Sequence, residues 1–247
     1  ATLSGVNSTQ ADSLSTAGTD AITINLSGGS STAALLNSLD GKTSVSVNAS
    51  AISAISGTLS DVSSSVSSAG ITNSASFEAS ITGSNDENGI SALNAVAAST
   101  TGTITASFSN LTASQADALT TAATDAITLT LEAGATTATV LNNIDATTNV
   151  AVGASAITGI TGDLADIHTA RTSAGITTDT DYSATVSDTL DENGIANLNA
   201  LAAETAVVVT ASVSNLTAAQ ADDLSTASTD AITVTLEAGA TTADILN

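Results

Sequence analysis

Apolar and polar residues alternate in several short stretches of the chain, for example in ITINL at residues 22–26. Alternation with a period of two, in stretches rich in β-branched residues, predicts β-strands that are apolar on one face and rich in hydroxyl groups on the other. The strands predicted in this way are 22–26, 45–49, 75–79, 104–108, 127–131, 150–154, 182–186, 207–213 and 232–236.

Between these strands, apolar residues fall three or four positions apart, which predicts short helices. Gly70 follows one such stripe, at the place where a glycine at the helix C′ position is expected. Thr112 with Gln115, and Thr217 with Gln220, have the spacing of a capping box, so a short helix should begin after each threonine. The two clearest stripes are Leu59, Val62, Val66 and Ala69, and Ile90, Leu93, Val96 and Ala97.

The chain repeats its own sequence with a fixed period. Asp20, Asp125 and Asp230 lie 105 residues apart within the shared motif TDAIT, and DENGI at residues 86–90 recurs at residues 191–195. A fixed period of this kind indicates a repeat architecture. We therefore divide the chain into a first long repeat (1–105) that starts within a strand, a second (106–210), and the start of a third (211–247) that ends within a helix.

Each long repeat accommodates about four strand-plus-helix segments of about 26 residues, a length within the range of leucine-rich-type repeats. Strands joined by helices should run parallel with right-handed crossovers. Because one strand face is polar, helices should cover only the other face. We therefore predict an α/β fold: an open right-handed solenoid with a parallel sheet on one side. The alternative is a series of tandem domains of about 105 residues, such as immunoglobulin-like modules, which would contain β-hairpins.

The two ends of the sequence fall inside predicted elements. Ala1 aligns with Ala106 in a strand, and Asn247 aligns with Asn142 in a helix. Because solenoids end in atypical, polar capping repeats, we expect the sequence to be an interior segment of a longer protein.

Composition excludes several kinds of chemistry. Two basic residues against 24 acidic ones leave a net charge of −22, so no basic surface for nucleic acid or anionic lipid is expected. The absence of cysteine and the single histidine argue against zinc fingers, disulfides and iron–sulfur clusters. No stretch of 18 apolar residues is present. We expect no enzymatic activity, no nucleic-acid partner and no membrane insertion.

His168 is the only imidazole, and a serine-rich chain with one histidine suggests a Ser-His-Asp triad. Its counterpart in the first repeat is Ser63, however, and no nucleophile-elbow sequence is present. We therefore interpret His168 as a solvent-exposed surface residue.

Arg171 and Lys42 are the only basic side chains. Arg171 replaces Val66 of the first repeat on an apolar helix stripe, and Lys42 corresponds to Thr147. A clamp for an anionic ligand is one interpretation. We favour the other, in which each aliphatic stem lies along the apolar surface and its charge pairs with a nearby aspartate.

The two DENGI motifs supply the candidate metal ligands, Asp86 and Glu87 in the first repeat and Asp191 and Glu192 in the second. Oxygen ligands beside a glycine are typical of calcium loops, so calcium is a possible cofactor. Neither EF-hand spacing nor the glycine-rich nonapeptide of calcium-binding β-rolls is present. Acidic residues also stabilise helix N-termini, and we favour this capping role.

Hydroxyl side chains fall on the polar strand faces. Such rows resemble the threonine arrays of ice-binding solenoids, although they also fit an ordinary solvated β face. They offer O-glycosylation sites as well, and Asn110 and Asn215 begin N-glycan acceptor triplets. The rows comprise Thr23, Ser44, Ser46, Thr103, Thr105, Thr128, Thr130, Thr233 and Thr235.

Two long segments of the chain resemble a known group of proteins. LNSLDGKTSVSVNASAISAISGTLSDV (Leu36 to Val62) and LNNIDATTNVAVGASAITGITGDLADI (Leu141 to Ile167) are similar to the tandem repeats of giant cell-surface or secreted proteins of marine cyanobacteria and related bacteria. The resemblance implies an extracellular or cell-surface location, a structural role in adhesion, surface layers or filaments, and no catalytic residues.

We therefore expect a structural repeat segment that self-associates into a rod, filament or surface layer. The alternative is an adhesin-type module that binds glycans or calcium through the hydroxyl-rich face or the acidic helix ends. A polysaccharide hydrolase would need paired carboxylates in a cleft, which a smooth, thin solenoid would not provide.

Overall fold

The computed structural model describes residues 1–239. The helix predicted at the end of the third repeat, which includes Asn247, lies outside these residues. The strands are β1 (Thr2–Val6), β2 (Thr23–Leu26), β3 (Gly29–Thr32), β4 (Val47–Ala49), β5 (Ile52–Thr58), β6 (Ile71–Asn73), β7 (Glu78–Asn85), β8 (Ile104–Leu111), β9 (Ala126–Leu131), β10 (Gly134–Thr137), β11 (Val152–Gly153), β12 (Ile157–Gly162), β13 (Ile176–Thr177), β14 (Ser183–Leu190), β15 (Val209–Leu216) and β16 (Ala231–Leu236). The helices are α1 (Ser8–Asp12), α2 (Ala33–Asp40), α3 (Leu59–Ser67), α4 (Ile90–Ser99), α5 (Ala113–Ala116), α6 (Ala138–Asp145), α7 (Leu164–Thr172), α8 (Ile195–Glu204) and α9 (Ala218–Ala221).

The chain forms two compact units. Unit 1 comprises Ala1–Leu111, Ala118–Leu129 and Ala146–Val150. Unit 2 comprises Thr112–Asp117, Thr130–Asp145 and the described residues from Ala151 onward. The division between the units passes through β9.

The strands form three parallel sheets. Within unit 1, the orders are β1-β2-β4-β6 in one sheet and β3-β5-β7-β8 in another. Within unit 2, the order is β10-β12-β14-β15-β16 in the third sheet. In the same unit, β11 pairs with β13 and, through Gly153 and Thr130, with the end of β9. The predicted α/β class, the parallel pairing and the alternation of strands with helices are confirmed. The parallel pairing is not that of immunoglobulin-like modules, whose sheets are antiparallel.

Three sheets are present where the sequence predicts one. Several segments carry two short strands before the helix, and the two strands join different sheets: β2, β4 and β6 belong to one, and β3, β5 and β7 to another. The second strand was missed because its apolar positions do not alternate. In GSST of β3, only Ser31 is buried, and in β5 the buried residues Ile52 and Ile55 lie three positions apart.

The strand predicted at 75–79 is largely wrong. Ala75 and Ser76 form a turn, and β7 begins only at Glu78. The backbone N–H of Ser76 donates to Ser74 Oγ at 3.2 Å, a local bond that competes with strand pairing. The side chain of Phe77 is nonetheless fully buried.

The helix predictions agree with the structure except at one glycine. The stripes beginning at Leu59 and Ile90 become α3 and α4, and both predicted capping boxes are present, at Thr112 and Thr217. The prediction that Gly70 is a C′ residue is wrong. A Cβ there would lie 1.8 Å from Asp40 Oδ1, so this position is glycine because a carboxylate packs against its backbone.

Asparagine side chains join consecutive strand-plus-helix segments. Asn37 Nδ2 donates to the carbonyl oxygen of Asp61 at 3.0 Å, and Asn94 Nδ2 donates to that of Ala118 at 2.8 Å. Unit 2 repeats both bonds, from Asn142 to Asp166 at 3.2 Å and from Asn199 to Asp223 at 2.8 Å. Each bond spans 24 residues of chain and satisfies a backbone acceptor of the following segment.

Candidate functional site

Each unit contains a polar groove, and the two grooves are lined by equivalent residues. The groove of unit 1 encloses about 690 Å³ and that of unit 2 about 510 Å³. Six lining positions carry the same residue in both repeats: Leu59 and Leu164, Asp86 and Asp191, Asn88 and Asn193, Gly89 and Gly194, Ser109 and Ser214, and Asn110 and Asn215.

The DENGI motifs form one side of these grooves. Asp86 follows β7, and its Oδ1 accepts from the backbone N–H of Asn88 at 3.1 Å. Asp191 Oδ1 accepts the equivalent bond from Asn193 at 2.9 Å. Each aspartate therefore caps the 3₁₀ turn that leads into α4 or α8, and the predicted capping role is confirmed.

The calcium candidates are not brought together as a ligand set. Glu87 and Glu192 are exposed and do not line the grooves. Within residues 1–239, no three histidine or acidic side chains are grouped so that they could hold a metal ion. The calcium site stays a prediction.

Asn110 and Asn215 also line the grooves, and sequence reasoning missed their role there. Both adopt the left-handed backbone conformation, with φ of 57° and 58°, and the equivalent Gly5 has φ 72°. Asparagine tolerates this conformation better than most residues. The recurrence of Gly or Asn at one position of each repeat was the available signal.

The grooves present hydrogen-bonding groups without a cation. Serine hydroxyls, asparagine amides and one or two carboxylates line them, and neither lining includes a histidine, lysine or arginine. Among the differences between them, unit 1 contributes Ser63 and Ser64, and unit 2 contributes Asp188 and Asn197. Such a surface suits uncharged, hydroxyl-rich ligands better than anions.

Lys42 is paired as predicted. Its Nζ lies 2.7 Å from Asp12 Oδ1, and Ser38 Oγ donates to the same oxygen at 2.7 Å. The bond from Lys42, followed by that from Ser38, lowers the pKa of Asp12. Because both side chains are partly exposed, this pair is of the kind that contributes little to stability.

Arg171 is paired with a glutamate instead of the expected aspartate. Its Nη1 donates to Glu204 Oε2, and its Nη2 lies 3.1 Å from His168 Nδ1. The prediction that His168 is solvent-exposed is wrong, since the imidazole is half-buried beside the guanidinium. Its Nδ1 therefore faces a cation, whereas a Ser-His-Asp triad would place a carboxylate there.

Tyr182 is the buried neighbour of this ion pair and gives a testable titration. Burial, followed by the charge of Glu204, raises the pKa of Tyr182 from 10.0 to about 12, with Arg171 acting in the opposite direction. We expect phenolate absorbance to develop near pH 12 in the folded chain and near pH 10 in urea. The chain has no other tyrosine, so the signal is specific.

The raised pKa of Tyr182 also determines how the stability of the folded chain depends on pH. The folded state holds the phenolic proton more tightly, so this contribution to stability is complete below about pH 10 and is lost as the pH rises towards about 12. Coincident absorbance titrations in native buffer and in urea would contradict the assignment.

One row of hydroxyl side chains is in register across unit 2. Thr161 pairs with Thr137 on one side and with Thr185 on the other, and Thr185 pairs with Thr210. All four side chains are exposed. In unit 1, the equivalent positions are Thr32, Ser56, Ser80 and Thr105, so serine interrupts the threonine row there.

Comparison of the chain with protein-family models, with curated protein sequences and with solved structures gives no match. In the part of the chain that the structure describes, no helix is both long and apolar enough to cross a membrane.

Proposed function

We propose that this chain is a structural repeat segment of a large extracellular or cell-surface protein, and that it contributes to a rod, filament or surface layer. In this proposal the strand-plus-helix segments continue as an open right-handed solenoid, and the role is mechanical, without catalysis. The resemblance of Leu36 to Val62 to the repeats of giant surface proteins supports the location.

The observation that carries this proposal is the recurrence of the same asparagine bonds in both units. Asn37 and Asn142 bond to a carbonyl 24 residues ahead, and so do Asn94 and Asn199. A bond that links two consecutive segments, and returns 105 residues later in the second long repeat, supports stacking that can continue through further repeats.

Net charge sets the conditions for lateral association. A charge of −22 makes neighbouring chains repel one another. Because the Debye length falls from about 30 Å at 0.01 M salt to about 3 Å at 1 M, salt should remove most of this repulsion. We expect static light scattering of the purified chain to rise over this range, and electron microscopy of the high-salt sample to show rods or lateral assemblies. Scattering that stays constant, with compact monomers at high concentration, would contradict the proposal.

A second candidate is an adhesin-type module that binds glycans or calcium, and the duplicated groove favours it. Asp191 and Asn215 both line this groove in unit 2, as Asp86 and Asn110 do in unit 1. The absence of exposed aromatic rings among residues 1–239 argues against sugar stacking, since Phe77, Phe108 and Tyr182 are all buried. Binding would depend on hydrogen bonds alone.

Calorimetry separates this candidate from a purely structural role. If the groove binds calcium or a neutral polysaccharide such as dextran, the heat of binding should be lost in Asp191→Ala/Asp86→Ala. The matched control is Asp181→Ala/Glu132→Ala, which removes the same charge from exposed positions outside the grooves. Flat traces for the wild-type chain with both ligands would eliminate the second candidate.

A further inference from the structure

Four side chains of unit 2 form what we call the Arg171 cluster. His168 and Arg171 lie on α7, Tyr182 immediately precedes β14, and Glu204 is the last residue of α8. The guanidinium contacts both Glu204 and His168, and the hydroxyl of Thr205, the residue after Glu204, donates to the carbonyl oxygen of Tyr182. The cluster therefore couples α7, α8 and the start of β14.

This cluster is partly buried and incompletely satisfied. The side chain of Arg171 is 9% exposed and that of Glu204 is 31% exposed, and Tyr182 is 1% exposed. Among the described residues, Arg171 Nε and Tyr182 Oη are buried without a hydrogen-bond partner. Buried donors without acceptors are destabilising, and a desolvated ion pair is often no better than apolar residues of similar volume. Stability alone does not explain why the cluster is there.

The first repeat fills the same four positions without any ionisable group. Ser63, Val66, Phe77 and Ser99 correspond to His168, Arg171, Tyr182 and Glu204. Phe77 is fully buried, as Tyr182 is, and Ser99 Oγ donates to Val96 O within α4 at 2.7 Å. Each set is self-consistent. A combination of residues from the two repeats is not self-consistent. Glu204 packed against the valine of the first repeat, or Arg171 packed against its serine, would be a partly buried charge without its partner.

We propose that the Arg171 cluster makes the contact between α7 and α8 specific for the second repeat, so that the equivalent helix α4 cannot replace α8. Tandem copies of similar sequence are prone to exchange equivalent elements during folding or between chains. A buried polar group that requires one particular partner is a known means of specifying pairing. In this proposal α7 packs with α8 and does not pack with the equivalent helix α4, whether α4 belongs to the same chain or to another.

The energetic part of the proposal is tested by a double-mutant cycle in the full chain. Arg171→Val and Glu204→Ser each introduce the first-repeat residue, and each should lower the urea midpoint of unit 2. The double variant should recover most of that loss, because no unpaired charge remains. Tyr182 is the only tyrosine and the chain has no tryptophan, so tyrosine fluorescence reports on this cluster directly. Additive losses would overturn the proposed coupling.

The specificity part is tested by refolding. The wild-type chain, the Arg171→Val/Glu204→Ser variant and a Lys42→Thr control are refolded from urea at high protein concentration. They are then diluted into low salt, where lateral association is weakest, and separated by size exclusion. Lys42→Thr also removes a paired cation and introduces the residue of the other repeat, but at a partly exposed pair.

We expect about tenfold more exchanged dimer from the double variant than from wild type. This ratio corresponds to a loss of about 1.4 kcal/mol in the free-energy preference of α7 for α8 over α4. Lys42→Thr should behave as wild type does. If the double variant yields no more dimer than wild type, or if Lys42→Thr yields as much as the double variant, the proposal is wrong. The single variants are not needed for this comparison, so their failure to fold would not affect it.

Discussion

Replacement of Asp125 by alanine is expected to lower the free energy of unfolding by about 3 kcal/mol, because one buried and one partly buried backbone N–H group lose their acceptors at roughly 1–3 kcal/mol each. Asp125 is 4% exposed. Its Oδ1 accepts from the backbone N–H of Ile104 at 2.8 Å, and its Oδ2 accepts from that of Ala122 at 2.8 Å. Urea unfolding followed by far-UV circular dichroism measures the loss.

Two further variants separate this explanation from a loss of charge. Asp125→Asn should be nearly as destabilising as alanine, because an amide offers one acceptor and would point its own donor at the second N–H. Asp20→Ala removes the equivalent aspartate from the TDAIT motif of the first repeat. Asp20 is exposed, and among the described residues its side chain accepts only from the backbone N–H of Ala17, at 2.9 Å, so we expect a loss of about 1 kcal/mol or less. Equal losses for Asp20→Ala and Asp125→Ala would contradict the account.

Replacement of Gly102 by alanine should also destabilise the chain by about 3 kcal/mol, at the upper end of ordinary overpacking. The new Cβ would lie 2.2 Å from the carbonyl oxygen of Phe77 and 2.6 Å from its carbonyl carbon. These are backbone atoms, and Thr100 Oγ1 donates to the same oxygen, so the backbone must shift and this bond must weaken. The urea midpoint should fall accordingly.

Gly41→Ala is the matched control for this clash. Its Cβ would lie 3.4 Å from the nearest atom, the carbonyl oxygen of Ser38, and its φ of −70° suits any residue. The second repeat already has Ala146 at this position. We expect Gly41→Ala to be neutral, or to stabilise by about 0.4–1 kcal/mol through the unfolded state. If Gly102→Ala and Gly41→Ala had similar urea midpoints, the close approach of Gly102 to the carbonyl group of Phe77 would be unimportant for stability.

Strands could be predicted where one face is buried and the other is not. In β8, Ile104, Ala106 and Phe108 are buried and the residues between them are not, so the alternation is visible in the sequence. In β3 and β10 the pattern is absent because these strands are short and polar. Their strand conformation depends on pairing with β5 and β12, which local sequence does not encode.

The candidate site was predictable only in part. The capping role of Asp86 and Asp191 follows from the DENGI sequence, because the bonds reach only two residues along the chain. The grooves themselves were not predicted. They require Ser109 and Asn110 at the end of β8 to face Asp86 after β7, an arrangement set by the parallel pairing of the two strands.

By itself, the sequence determined the period of 105 residues, the α/β class, the parallel pairing and the helix starts at Thr112 and Thr217. The period is read from the sequence directly. The other features depend on the spacing of residues within one strand or helix, or on the length of the connections between strands. Only the tertiary structure decided that the strands divide among three sheets, that Gly102 packs against the Phe77 carbonyl, and that Arg171 pairs with Glu204. The last two partners lie 25 and 33 residues away along the chain, so their identity is fixed by packing between elements and not by spacing within one.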